Sequence, residues 1–144
     1  MQPFLSLFFR ALAALALAFL MTSAAPAEPM KVVAIGASNT AGWGVGPDKS
    51  FVSQLAVMLK ARGYDVDVRN NGVPGRRTAT MLDLLDTLAP DGTRLVVLQP
   101  GSNDRRAFGT KEQRAANIAE MVRKLRARNI RVVVYDRDIP RHML

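Results

Sequence analysis

The sequence predicts an α/β domain in which helices cover both faces of a parallel sheet. Two observations carry that prediction. Short apolar, β-branched runs alternate with stretches of helical periodicity in the order βαβαβαβ. Strands joined through helices imply parallel pairing and right-handed crossovers. In addition, the loops after the first three strands are rich in glycine and small hydrogen-bonding side chains. In open α/β sheets, sites form at the carboxyl ends of strands.

The elements follow in order. KVVAI, residues 31–35, is apolar and ends at Gly36, as a buried strand does. Ser50 is placed to cap FVSQLAVMLKARG, in which Val52, Leu55 and Leu59 recur at helical spacing and Gly63 closes the segment. YDVDVR, residues 64–69, alternates polar and apolar, which suits a strand near the sheet edge with one face in solvent. Residues 78–88 read as one helix with Met81, Leu85 and Leu88 on a stripe, and Asp91-Gly92 is a turn. Residues 94–98 form another buried strand, ending at Pro100-Gly101. Thr110 and Gln113 make a capping-box pattern for a helix over 111–128, with Ile118, Met121, Val122 and Leu125 as its core stripe. IRVVVY, residues 130–135, is the fourth strand.

The N-terminus has the layout of a secretory signal peptide. Arg10 precedes an apolar run, residues 11–21, that is too short to anchor in a bilayer, and Ala25-Pro26-Ala27 offers a small-x-small cleavage pattern. The expected cut follows Ala27. It leaves one domain over 30–144, secreted or periplasmic, with no stable membrane anchor. The chain has no cysteine, so an exported domain would hold together by burial rather than disulfides. The net charge is +8, but the basic residues are spread out, densest over 114–128, and the single Trp43 lies in a glycine loop. A nucleic-acid surface would need a clustered basic face with interleaved aromatics. Nothing in the sequence specifies an oligomer.

Three loops concentrate the chemistry: GASNTAGWG after the first strand, NNGVPGRRT after the second and PGSND after the third. The first lacks the spacing of a phosphate-binding P-loop and of a dinucleotide fingerprint, and no Lys follows its glycines. No cofactor or metal is therefore expected. Thr40 stands where the G-x-S-x-G elbow has its last glycine, so that motif is absent too.

The three loops together resemble the blocks of the SGNH, or GDSL, hydrolase family. Gly36-Ala37-Ser38-Asn39-Thr40-Ala41-Gly42 is similar to G-D-S-[LN]-[TS]-x-G. Asn71-Gly72-Val73-Pro74-Gly75 is similar to an N-x-G-x-x-G-type loop, and Gly101-Ser102-Asn103-Asp104 to G-x-N-D. The resemblance covers residues 31–135 and implies a three-layer α/β/α, flavodoxin-like fold, incomplete at the C-terminus. It implies a serine esterase acting on a small-molecule ester, thioester or lysophospholipid. Ser38 would be the nucleophile. The Ser38 amide, the Gly75 amide and the Asn103 side chain would form the oxyanion hole.

The match has departures. Ala37 replaces the family's Asp, and Arg76 stands where an Asp often follows the block-two glycine. The family's C-terminal D-x-x-H, which supplies the base, has no counterpart. The one histidine, His142, forms D-x-x-x-H with Asp138. The sequence thus also accommodates an impaired ligand-binding protein or a truncated remnant.

Overall fold

The computed structural model describes residues 27–135. The leader, Asp138 and His142 lie outside these residues. Four strands form one all-parallel sheet in the order β2-β1-β3-β4. They are β1 (Met30–Gly36), β2 (Val66–Gly72), β3 (Thr93–Gln99) and β4 (Arg131–Val134). The connecting helices are α1 (Ser38–Ala41), α2 (Phe51–Ala61), α3 (Thr78–Asp83), α4 (Leu85–Leu88), α5 (Asn103–Arg106) and α6 (Lys111–Ala127). The α/β class and parallel sheet are as the sequence predicts. The strand order reverses beside β1, so β1 and β3 flank the switch point where open α/β sheets place their sites.

One face of the sheet is sealed. Val33, Ile35, Val96 and Leu98 meet Met81, Leu85, Leu88, Ile118, Met121 and Leu125 in a continuous buried cluster. Each such side chain contributes about 1.5–3 kcal/mol on burial. The α6 stripe is the predicted one, and the capping box at Thr110 and Gln113 is formed. On the other face, α2 packs beside β2 and inserts Val52, while Leu55 and Leu59 are half-buried. Ser50 caps α2 by accepting from the Ser53 amide at 3.2 Å. Beyond α2, this face stays open among the described residues. Leu55, Met58, Leu95, Val97, Val133 and Tyr135 line an apolar groove of about 760 Å³.

Two elements differ from the sequence reading. Residues 78–88 form two helices hinged at Leu84 rather than one. The two ends are tethered separately: the first to Asp104, the second by the Asn71 side chain on the Leu88 carbonyl (2.7 Å) and Arg128 on the Ala89 carbonyl (2.7 Å). The stripe survives, with Met81, Leu85 and Leu88 all buried. The second strand starts later and runs longer, through Asn70 and Asn71 to Gly72, because parallel pairing with β1 continues to Gly36. The second loop therefore begins only at Val73.

Candidate active site

Register brings the three loops side by side. Gly36 at the end of β1 pairs with Gly72 of β2 on one side and Gln99 of β3 on the other. The glycine at 72 is required by close approach: a Cβ there would lie 2.6 Å from the Thr40 carbonyl carbon. Without side chains at 36 and 72, α1 can lie directly on the strand ends. Polar contacts then fix it. Buried Thr40 donates its hydroxyl to Gln99 Oε1 at 2.6 Å, and Asn70 donates its side-chain amide to the Thr40 carbonyl at 2.7 Å. The Val73 amide closes the arrangement by donating to the Gly36 carbonyl at 3.1 Å.

Ser38 is the first residue of this short helix and is half-buried. Its carbonyl accepts from the Trp43 amide at 2.9 Å. Its hydroxyl caps nothing, and neither hydroxyl nor amide has a hydrogen-bond partner among the described residues. An unpaired amide is what the first turn of a helix leaves over. Trp43 is 74 % exposed and does not line the apolar groove beside α2.

Gly75 sits in the turn where the Arg76 amide donates to the Val73 carbonyl at 3.1 Å. Its φ of +79° is the left-handed region that favours glycine, and a Cβ would meet nothing within 4 Å. Conformation, not crowding, selects glycine here. The Gly75 amide has no partner among the described residues.

Asn103 opens α5 and donates its side-chain amide to the Arg76 carbonyl at 3.0 Å. This bond ties the third loop to the second, one residue from Gly75. An asparagine amide has two hydrogens, so one remains to donate. On the other flank, Ala37 is buried against Gly101: a Cβ at 101 would be 3.1 Å from the Ala37 Cβ. The residue before Ser38 thus touches the loop that carries Asn103.

Asp104 is a clamp. Its buried carboxylate accepts from the Thr78 amide (3.1 Å) and the Thr78 hydroxyl (2.6 Å), capping α3 from a distant part of the chain. Asn117 of α6 donates to the same Thr78 hydroxyl at 3.0 Å. Arg114, nearly buried, donates twice to the Gly101 carbonyl, at 3.0 and 2.8 Å. Arg76 turns inward and donates to the Asn71 carbonyl at 3.0 Å. Sequence reasoning missed Thr40–Gln99, Thr78–Asn117 and Arg114–Gly101. One signal was available: Gln99 closes an otherwise apolar strand, and Arg114 falls in line with Ile118 and Met121 on the buried face of α6.

Among the described residues no cluster of three or more His, Cys, Asp or Glu side chains forms that could hold a metal ion. They include no imidazole either, since His142 is the only histidine of the chain and lies outside them.

An open parallel sheet carries, at its switch point, a serine whose hydroxyl has no partner among the described residues. Comparison with known proteins gives the family. The model of the GDSL-like lipase/acylhydrolase family matches residues 34–143, and the chain belongs to that family. It is 32% identical over 122 residues to the esterase TesA of Pseudomonas aeruginosa, covering 84% of this chain and 60% of that protein. It is likewise 32% identical over 127 residues to an arylesterase of Vibrio mimicus, covering 85% and 62%. Among solved structures, AlinE4, an SGNH-hydrolase family esterase, superposes with a TM-score of 0.68 at 25% identity, over 76% of this chain and 60% of that one. A crystal structure of TesA gives 0.68 at 30% identity, over 73% and 59%. The chain spans about three fifths of the length of these relatives.

Proposed function

We propose that this chain carries the nucleophile and oxyanion hole of a serine ester hydrolase acting on small acyl esters. The observation that carries the proposal is the free hydroxyl and amide of Ser38 on a helix pinned beside the loops of Gly75 and Asn103. The names of the relatives, an esterase and an arylesterase, point the same way.

In the proposed reaction, Ser38 Oγ attacks the ester carbonyl carbon as its proton passes to a base. The former carbonyl oxygen becomes negatively charged. The Ser38 amide, the Gly75 amide and the second amide hydrogen of Asn103 are the donors proposed to receive it. Collapse expels the alcohol, which takes up the proton, and leaves an acyl-serine that water then hydrolyses. A preorganised donor of this kind is worth about 3–4 kcal/mol of barrier. All three are uncharged, so holding them in a partly buried rim carries no ionic desolvation penalty. The described residues include no imidazole to take that proton; Asp138 and His142 lie outside them.

Turnover of a short-chain p-nitrophenyl ester tests the reading. It should disappear in Ser38→Ala, and unchanged turnover in that variant refutes it. We also propose export through the N-terminal leader. N-terminal sequencing of protein recovered outside the cytoplasm should then begin at Glu28.

A further inference from the structure

Beside the proposed oxyanion donors lies a cleft of about 380 Å³. Arg77, Phe108, Gln113, Asn117 and Asp104 line it. Two of its lining residues are chain neighbours of the site: Asp104 follows Asn103, and Arg77 follows Arg76, whose carbonyl holds the Asn103 amide.

The polar groups of this cleft are mostly committed. Asp104 accepts from Thr78, Asn117 donates to Thr78, and the Gln113 side chain accepts from the Thr110 amide. Arg77 differs. It is exposed, and its guanidinium has no hydrogen bond or ion pair among the described residues. Its neighbour Arg76 provides the contrast, being bound to the Asn71 carbonyl. Two adjacent arginines therefore have different jobs: one holds the loop, the other faces the cleft uncommitted. The nearby charges on the first turn of α6, Lys111 and Glu112, are of opposite sign, and Arg105 adds a further exposed cation. The Asp104 carboxylate is held against α3 by two Thr78 donors, so it is turned to Thr78 and not to Arg77. At the outer lip, Phe108 is 97 % exposed and holds a φ of +59°, unusual for an aromatic residue.

We infer that Arg77 makes this cleft select esters that carry a carboxylate beyond the scissile carbonyl. The inference rests on the reading of Ser38 as nucleophile for the word ester, but not for the binding it predicts. The carboxylate pairs with the guanidinium in a charge-assisted hydrogen bond, while the rest of the substrate lies along Phe108.

The test is equilibrium binding by NMR titration in Ser38→Ala, which removes turnover from the measurement. Monomethyl succinate is the anionic probe and dimethyl succinate the neutral one. The anion should bind about five- to tenfold more tightly, the range expected of a charge-assisted contact discounted for exposure. That ratio should fall to about one in Ser38→Ala/Arg77→Gln, persist in part in Ser38→Ala/Arg77→Lys, and shrink with added salt. A ratio near one before Arg77 is changed, a ratio unmoved by Arg77→Gln, or no detectable binding of the anion overturns the inference. These results are independent of the catalytic reading, which fails instead if Ser38→Ala still hydrolyses esters.

Discussion

The two faces of the sheet are finished to different degrees, and the loop of Asn103 depends on the better finished one. Beneath α3, α4 and α6, apolar side chains from strands and helices form one buried cluster, and Met81, Leu98, Ile118 and Met121 have no exposed surface. On the α2 side, Met58 and Val133 are about half exposed and border an open groove. The second and third loops of the rim are held from the sealed side. Asp104 reaches the start of α3, Asn117 reaches in from α6, and Arg114 of the same helix holds the Gly101 carbonyl. The lesson is that Asn103 is placed by a packed layer at its back, whereas the helix of Ser38 is held by Asn70, which also reaches Ser50 at the start of α2.

Substitutions can break or sharpen that contrast, and urea unfolding reads their cost. Met81→Ala on the sealed face should be the most damaging, at about 2–5 kcal/mol, from lost burial and the cavity left behind. Gly72→Ala should cost about 1–3 kcal/mol, because the new Cβ meets the backbone of α1, which must shift. The same variant should also slow ester turnover, since Ser38 moves with that helix. Asp104→Ala should cost about 1–3 kcal/mol by leaving the Thr78 amide and hydroxyl without their acceptor. Met58→Ala and Val133→Thr on the open face should fall within about 0.5 kcal/mol of the parent. Comparable losses on both faces would remove the contrast.

Much of this arrangement could be read from the sequence because its signals are local and repeated. β1 and β3 each contain an unbroken apolar run, residues 32–35 and 95–98, and α6 combines a capping box with a long stripe, so each declares itself. Glycine-rich loops at three strand ends marked the rim, and the block pattern named Ser38, Gly75 and Asn103 as candidates on it. What was not legible depends on partners far apart in the chain. Leu84 has no breaker beside it, and the hinge there follows from tethers made by Asp104, Asn71 and Arg128. Asn70 and Asn71 have the look of a loop, and only pairing with β1 draws them into a strand. The separate roles of Arg76 and Arg77 cannot be told from two identical letters. They follow from which guanidinium finds a backbone carbonyl.

The most direct test of the central claim is covalent labelling of the intact chain by a serine-directed phosphonate, followed by mass mapping of the adduct. The account predicts a single label on the peptide containing Ser38, formed about 10²–10³ times more slowly in Asn103→Ala, as expected when one oxyanion donor is removed. A label on another residue, or a Ser38 label whose rate is indifferent to Asn103, would contradict it.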